Sequence, residues 1–173
     1  MGEIRERIKE LVDRIFSLNE ELSDVRGERS NQTLGDPATE EQVKRIEAMF
    51  DIKLPNDYRA FLLLHNGWTG FSGANALLST EEMLAGELHE AILELQEVQR
   101  ETDDDVAEGF VFEASFGRSR TYFDVAHERP NGGIDVVYWR DEEIDRYPSF
   151  TAYLEGYLED LKEMLHEEHT RLR

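Results

Sequence analysis

The chain has 173 residues, with 39 Asp and Glu against 19 Lys and Arg for a formal charge of −20, and it contains no cysteine. That length suits one domain with a sizeable core, and the missing thiols exclude disulfides and thiolate metal sites, as fits a reducing cytoplasm. The charge lies well beyond the magnitude of about 2 to 8 suited to a small soluble domain; it repels phosphate backbones and anionic membranes, so nucleic acid and lipid are excluded as direct partners, whereas a cationic partner would be steered in.

In chain order, Ile4, Ile8, Leu11, Ile15, Leu18, Leu22 and Val25 are spaced 4-3-4-3-4-3, the rhythm of a helix with one narrow apolar seam. Such a seam either packs on the chain's own domain or joins two copies as a homodimer through the N-terminal helix. No window approaches the roughly 20 apolar residues of a membrane-spanning helix, so the expectation is a soluble cytoplasmic protein. Arg26 to Ala38 is polar, holds Gly27, Gly35 and Pro37, and reads as a linker. The expected division is residues 1–37, helix and linker, and residues 38–173, a compact domain.

Thr39-Glu40-Glu41-Gln42 has capping-box spacing, and Val43, Ile46, Met49 and Phe50 form a helical stripe behind it. Pro55 sits where a further helix can start, since its missing amide would be unpaired there. Tyr58, Phe61, Leu62 and His65 form that helix's stripe, and Asn66-Gly67 is expected to end it. Trp68, Phe71 and Trp139 either fill the core or anchor a partner.

"ANALLS" reads as a short strand, and Ser79-Thr80-Glu81-Glu82 as a second capping box, opening a helix from Met83 through Val98 with only local weakening at Gly86. The runs Gly109–Ala114, Arg120–Val125 and Ile134–Trp139 are rich in β-branched and aromatic residues, and their short connections imply an antiparallel meander. Pro148-Ser149 precedes a last, long amphipathic helix whose stripe runs from Phe150 to Leu165 and which ends in "HEEHTRLR". The order ααα, β, α, βββ, α defines an α+β fold: a central antiparallel sheet packed with helices, plus the N-terminal amphipathic helix.

Chemistry-bearing motifs are scarce. "HEEH" at 166–169 lacks the four-residue spacing of a zinc-protease helix, and the glycines at 67, 70 and 73 form no phosphate loop. No nucleophile elbow occurs, and with so many acidic side chains a pair of carboxylates says little about catalysis. No cofactor, metal site or catalytic residue is expected. A strongly raised glutamate pKa inside a deep polar cleft would be the sign of a hydrolase.

The stretch "IEAMFDIKLPNDYRAFLLLHNG", with Glu47, Leu54, Pro55, Tyr58, Phe61, Leu62, Asn66 and Gly67, resembles the SMI1/KNR4 (SUKH) domain superfamily, as do "LLSTEEM" and the Ser149-Phe150 start of the closing helix. The resemblance spans about residues 39 to 165. It implies a mixed α+β binding module without a catalytic centre, in which Leu54, Pro55, Asn66 and Gly67 are fold determinants. Bacterial members of that superfamily are similar to immunity proteins of polymorphic toxin systems, many of whose toxins are nucleases; eukaryotic ones resemble scaffold or regulatory proteins. The expected partner is therefore a cognate protein toxin with a basic surface, met by Glu101, Asp103, Asp104, Asp105 and Glu108, by Asp141, Glu142, Glu143 and Asp145, and by Trp68 if it is exposed. Either acidic run could equally be a solvated loop. A regulatory or scaffold interaction module of the same fold is the alternative.

Overall fold

The structure is a computed structural model that describes residues 2–172. Its first helix, α1 (Gly2–Arg26), uses the seam read from the sequence, but inwardly: Ile8, Leu11, Val12 and Ile15 are completely buried and belong to the main core. The helix lies against α3 (Asn56–Leu64) and α5 (Phe150–Arg171). The seam is thus consumed within one chain and is not offered to a second copy.

The polar stretch expected as a linker is held in place. It contributes β1 (Thr33–Leu34) to the sheet, Gln32 donates from Nε2 to the Phe16 carbonyl at 2.8 Å, and the Gly35 amide donates to Gly67 O at 3.0 Å. A Cβ on Gly35 would sit 2.3 Å from the Asn66 carbonyl oxygen, so its glycine serves a close approach and not flexibility.

Helix α2 (Glu40–Phe50) starts on the expected box: Thr39 Oγ1 accepts from the Gln42 amide at 3.1 Å, and the Thr39 amide donates to Gln42 Oε1 at 2.8 Å. Glu47 then organises the passage into α3, since its Oε1 accepts from the Leu54 amide and its Oε2 from Arg59 Nη1, both at 3.1 Å. Helix α3 ends at Leu64 with His65 extended, two residues before the Asn-Gly pair expected to end it. Gly67 has a different task. With φ of 92° and a would-be Cβ only 2.8 Å from the Ser79 amide nitrogen, it lets two backbones meet.

Among the described residues seven strands form one antiparallel sheet in sequence order: β1, β2 (Trp68–Ser72), β3 (Asn75–Leu77), β4 (Phe110–Ala114), β5 (Ser119–Phe123), β6 (Val136–Arg140) and β7 (Glu143–Tyr147). The meander β4-β5-β6 is as the sequence predicts; β1, β2 and β7 are additions. Strand β2 carries Gly70 at φ 66° and an irregular register, and β7 is an exposed edge strand rich in charge, so neither shows the alternation that marks a strand in sequence.

The helix expected from Met83 also differs. The Ser79–Glu82 box does form, with Ser79 N to Glu82 Oε2 at 2.8 Å and Glu82 N to Ser79 Oγ at 3.2 Å, but it closes only a turn. Asn66 holds that turn by accepting from Thr80 N at 2.8 Å and donating to Thr80 Oγ1 and Glu81 Oε2 at 3.0 Å each. Gly86, at φ 100°, then interrupts the chain and caps α4 (Glu87–Arg100).

The sheet separates two helical layers. On one face α1, α3 and α5 cover Phe112 and Phe123, with Tyr58 and Phe150 packed among them in tilted and edge-to-face pairs at centroid distances of 4.5 to 5.7 Å. On the other, α4 and a 3-10 turn (Asp105–Ala107) lie over the β4 side. Helix α5 begins where Ser149 Oγ accepts from the Ala152 amide at 3.0 Å, and Asp57 Oδ2 adds a second cap on the Thr151 amide at 2.8 Å.

Candidate protein-interaction surface

Trp68 sits in the core. It is 1% exposed, lies 5.1 Å from Phe71 centroid to centroid, and donates from Nε1 to Gln32 Oε1 at 3.2 Å. Its place as a partner contact is corrected, for burial leaves nothing of the indole to touch a second protein; Trp139 is completely buried as well.

The first acidic run is split between structural and free carboxylates. Asp104 is structural: one oxygen caps the 3-10 turn by accepting from Val106 N at 3.1 Å, and the other accepts from Trp139 Nε1 at 3.1 Å. Asp103 closes the end of α4 with a positive φ of 56°, and Glu108 pairs with Arg100 at 3.1 Å. Glu101, Asp103, Asp105 and Glu108 are exposed.

The second run is not a loop but the β6–β7 turn and the edge strand. Asp141 occupies the turn with φ of 65° and meets Arg118 Nε at 2.5 Å. Glu143 pairs with Arg146 at 2.8 Å, and Arg146 also reaches the buried Asp124 at 2.9 Å and Asp135 at 3.1 Å. Glu142 and Asp145 are exposed. Among the described residues no basic side chain pairs with Glu101, Asp103, Asp105, Glu142 or Asp145.

Folding brings parts of the two runs together and sends others apart. Burial first, and then the negative fields of Asp124, Asp105, Glu143 and Asp104, push the Tyr122 hydroxyl well up, so carboxylates from both runs act on one tyrosine. Asp145 acts on α5 as well: burial, Glu163 and Asp145 together raise the Asp160 carboxyl of that helix. Asp141 and Glu142 project from the end of the sheet where the β4–β5 turn also lies, as the pairing of Ser119 with Arg140 requires. The chain therefore presents acidic patches on several sides, and sequence proximity alone does not group them.

The described residues contain no group of three or more His, Asp or Glu arranged to hold a metal ion, and no helix long and apolar enough to cross a membrane. One glutamate does have a raised pKa. Glu113 is 2% exposed, and burial pushes its carboxyl up against hydrogen bonds from Tyr153 Oη, Thr121 Oγ1 and Asn75 Nδ2. Those bonds occupy it inside the sheet–α5 interface. A groove of about 460 Å³ runs between the α2–α3 connection and Val125–Ile134 without Glu113.

This architecture is that of a sheet-centred module whose polar special positions, Glu47, Asp57 and Asn66, serve turns and caps. The SMI1 / KNR4 family (SUKH-1) profile matches residues 37–156, well over half of the chain, and the chain belongs to that family. A similar protein, the uncharacterized protein YnaB of Bacillus subtilis (strain 168), is 38% identical over 76 residues, covering 44% of this chain and 42% of that one. The matched stretch thus spans less than half of that relative.

Proposed function

We propose that this protein is a non-catalytic, cytoplasmic immunity protein that binds a cognate bacterial toxin, a basic nuclease, and neutralises it by occupying its cationic surface. The observation that supports this reading most is the set of exposed carboxylates without a basic partner among the described residues: Glu101, Asp103, Asp105, Glu142 and Asp145. A nuclease needs a cationic cleft for phosphate, and a patch of carboxylates carried by the folded domain can enter that cleft at lower ordering cost than a flexible acidic tail. Family membership favours a binding role over an enzymatic one.

The test is co-expression with the toxin encoded alongside the protein. Restored growth and a one-to-one complex are expected; lethality unchanged and no complex would refute the proposal. Charge steering further requires association to slow by about tenfold or more between low and physiological salt. An association rate indifferent to salt would leave binding but remove the mimicry.

A further inference from the structure

Arg120 is an unusual use of a cation in a protein of charge −20. It is 3% exposed and, among the described residues, pairs with no carboxylate. Its Nη1 instead reaches three backbone carbonyls of the β4–β5 turn, those of Ser115 at 2.9 Å, Gly117 at 2.7 Å and Ser119 at 2.8 Å, while Nε has no partner. Two Nη1 hydrogens are thus shared over three acceptors. Burying a guanidinium this way costs desolvation that no ion pair returns. What it accomplishes is a fixed turn, and Ser115 Oγ tightens the turn further by accepting from the Gly117 amide at 3.1 Å.

At the tip of that turn stands Phe116, 71% exposed, one of the two most exposed large apolar side chains among the described residues. Two residues on, Arg118 reaches across β5–β6 to Asp141 at 2.5 Å, so the turn that carries Phe116 is joined to the acidic β6–β7 turn carrying Asp141 and Glu142. An isolated exposed apolar residue needs no explanation. A phenylalanine displayed on a turn held by a buried arginine, at the same end of the sheet as the acidic β6–β7 turn, has the make-up of a preorganised interface anchor: little loop freedom is left to lose on binding.

We propose that Phe116 is the apolar anchor of the partner interface, inserting into a hydrophobic pocket on a basic protein whose rim of lysine and arginine meets Asp141 and Glu142. The occupant is the toxin of the preceding section, so the inference rests on that reading; charge complementarity chooses it over a second copy of this acidic chain, which would oppose like charges. Anchor and rim divide the work. The ring governs how long the complex lasts, and the carboxylates govern how fast it forms.

The experiment measures association and dissociation rates of the full chain with the purified toxin domain encoded alongside it, for wild type, Phe116→Ala, Phe116→Trp and Glu142→Lys. Phe116→Ala is expected to speed dissociation by about thirtyfold, with association within about twofold. Its thermal midpoint should be unchanged, because an exposed ring contributes little to folding. Phe116→Trp should retain most of the affinity, and Glu142→Lys should slow association and flatten its salt dependence. If wild type binds and Phe116→Ala stays within about threefold in dissociation, the anchor is wrong while toxin binding stands. If wild type does not bind at all, both readings fall.

Discussion

Tyr58 carries a hydroxyl that is completely buried and has no hydrogen-bond partner among the described residues, set between Phe112, Phe123 and Phe150. An unpaired buried polar group costs about 1 to 3 kcal/mol, and deleting it without changing the ring relieves that cost. Tyr58→Phe is therefore expected to raise stability by about 1 kcal/mol in urea denaturation; a loss of similar size would mean that the hydroxyl is satisfied in solution. Glu113 makes the complementary case, a buried acid that is bonded but desolvated. An acid whose pKa is higher folded than unfolded binds an extra proton in the native state, so its contribution falls as pH rises from the unfolded toward the folded value and stays low above it. Glu113→Gln removes that dependence. Its urea midpoint relative to wild type should climb as pH rises above the ordinary glutamate value of about 4.3, and a difference flat with pH would show equal ionisation in both states. Neither residue announces itself in the sequence, where Tyr58 is one aromatic in a stripe and Glu113 one of 39 acids.

At the scale of elements, helices were read well where a local signal was also the structural one. Thr39 and Gln42 cap α2, and Ser149 caps α5, because a cap is satisfied within one turn and needs nothing distant. Ser149→Ala is expected to cost about 1 kcal/mol, seen as a lower urea midpoint with the same slope; Asp57, capping the same end from α3, keeps the loss from being larger. The box at Ser79 misleads because its competitor is remote in sequence: Asn66 holds Thr80 and Glu81 in a turn, and Gly86 takes a conformation no helix continues. Strands β1 and β7 escaped the reading for the same kind of reason. A two-residue strand and a charged edge strand have their pairing partners elsewhere, and pairing leaves no periodic mark on so short or so exposed a run. Asp104, Asp105 and Glu143, whose negative fields all raise the Tyr122 hydroxyl, are site candidates in the sequence, but their action on one tyrosine is not legible there, nor is the Phe116 turn braced by Arg120.

For the whole molecule the decisive fact is that α1 is part of the core. Ile8, Leu11, Val12 and Ile15 are completely buried, and at about 1.5 to 3 kcal/mol per buried aliphatic side chain their loss matches most of the 5 to 15 kcal/mol that holds a domain together. A chain starting at Gly35 is thus expected to be largely unfolded by circular dichroism and to bind nothing. A folded, monomeric truncation that keeps its partner would show instead that α1 is an appendage. This packing also weakens the scaffold alternative, in which the helix seam recruits a partner, since the seam is already covered.

The sequence by itself determined the α+β class, the helices with local caps, the β4–β6 meander, the strongly acidic charge, and the family, through the stretch from Glu47 to Gly67. These are properties of residue type and short spacing, which a linear chain displays in full. The tertiary structure alone decided that Trp68 is core, that the N-terminal seam faces inward, which carboxylates meet and which are already paired, and that a buried arginine stiffens the turn under Phe116. Each of those depends on which distant backbone or side chain occupies the space beside a residue, and that is settled only when the sheet closes and its two helical layers pack.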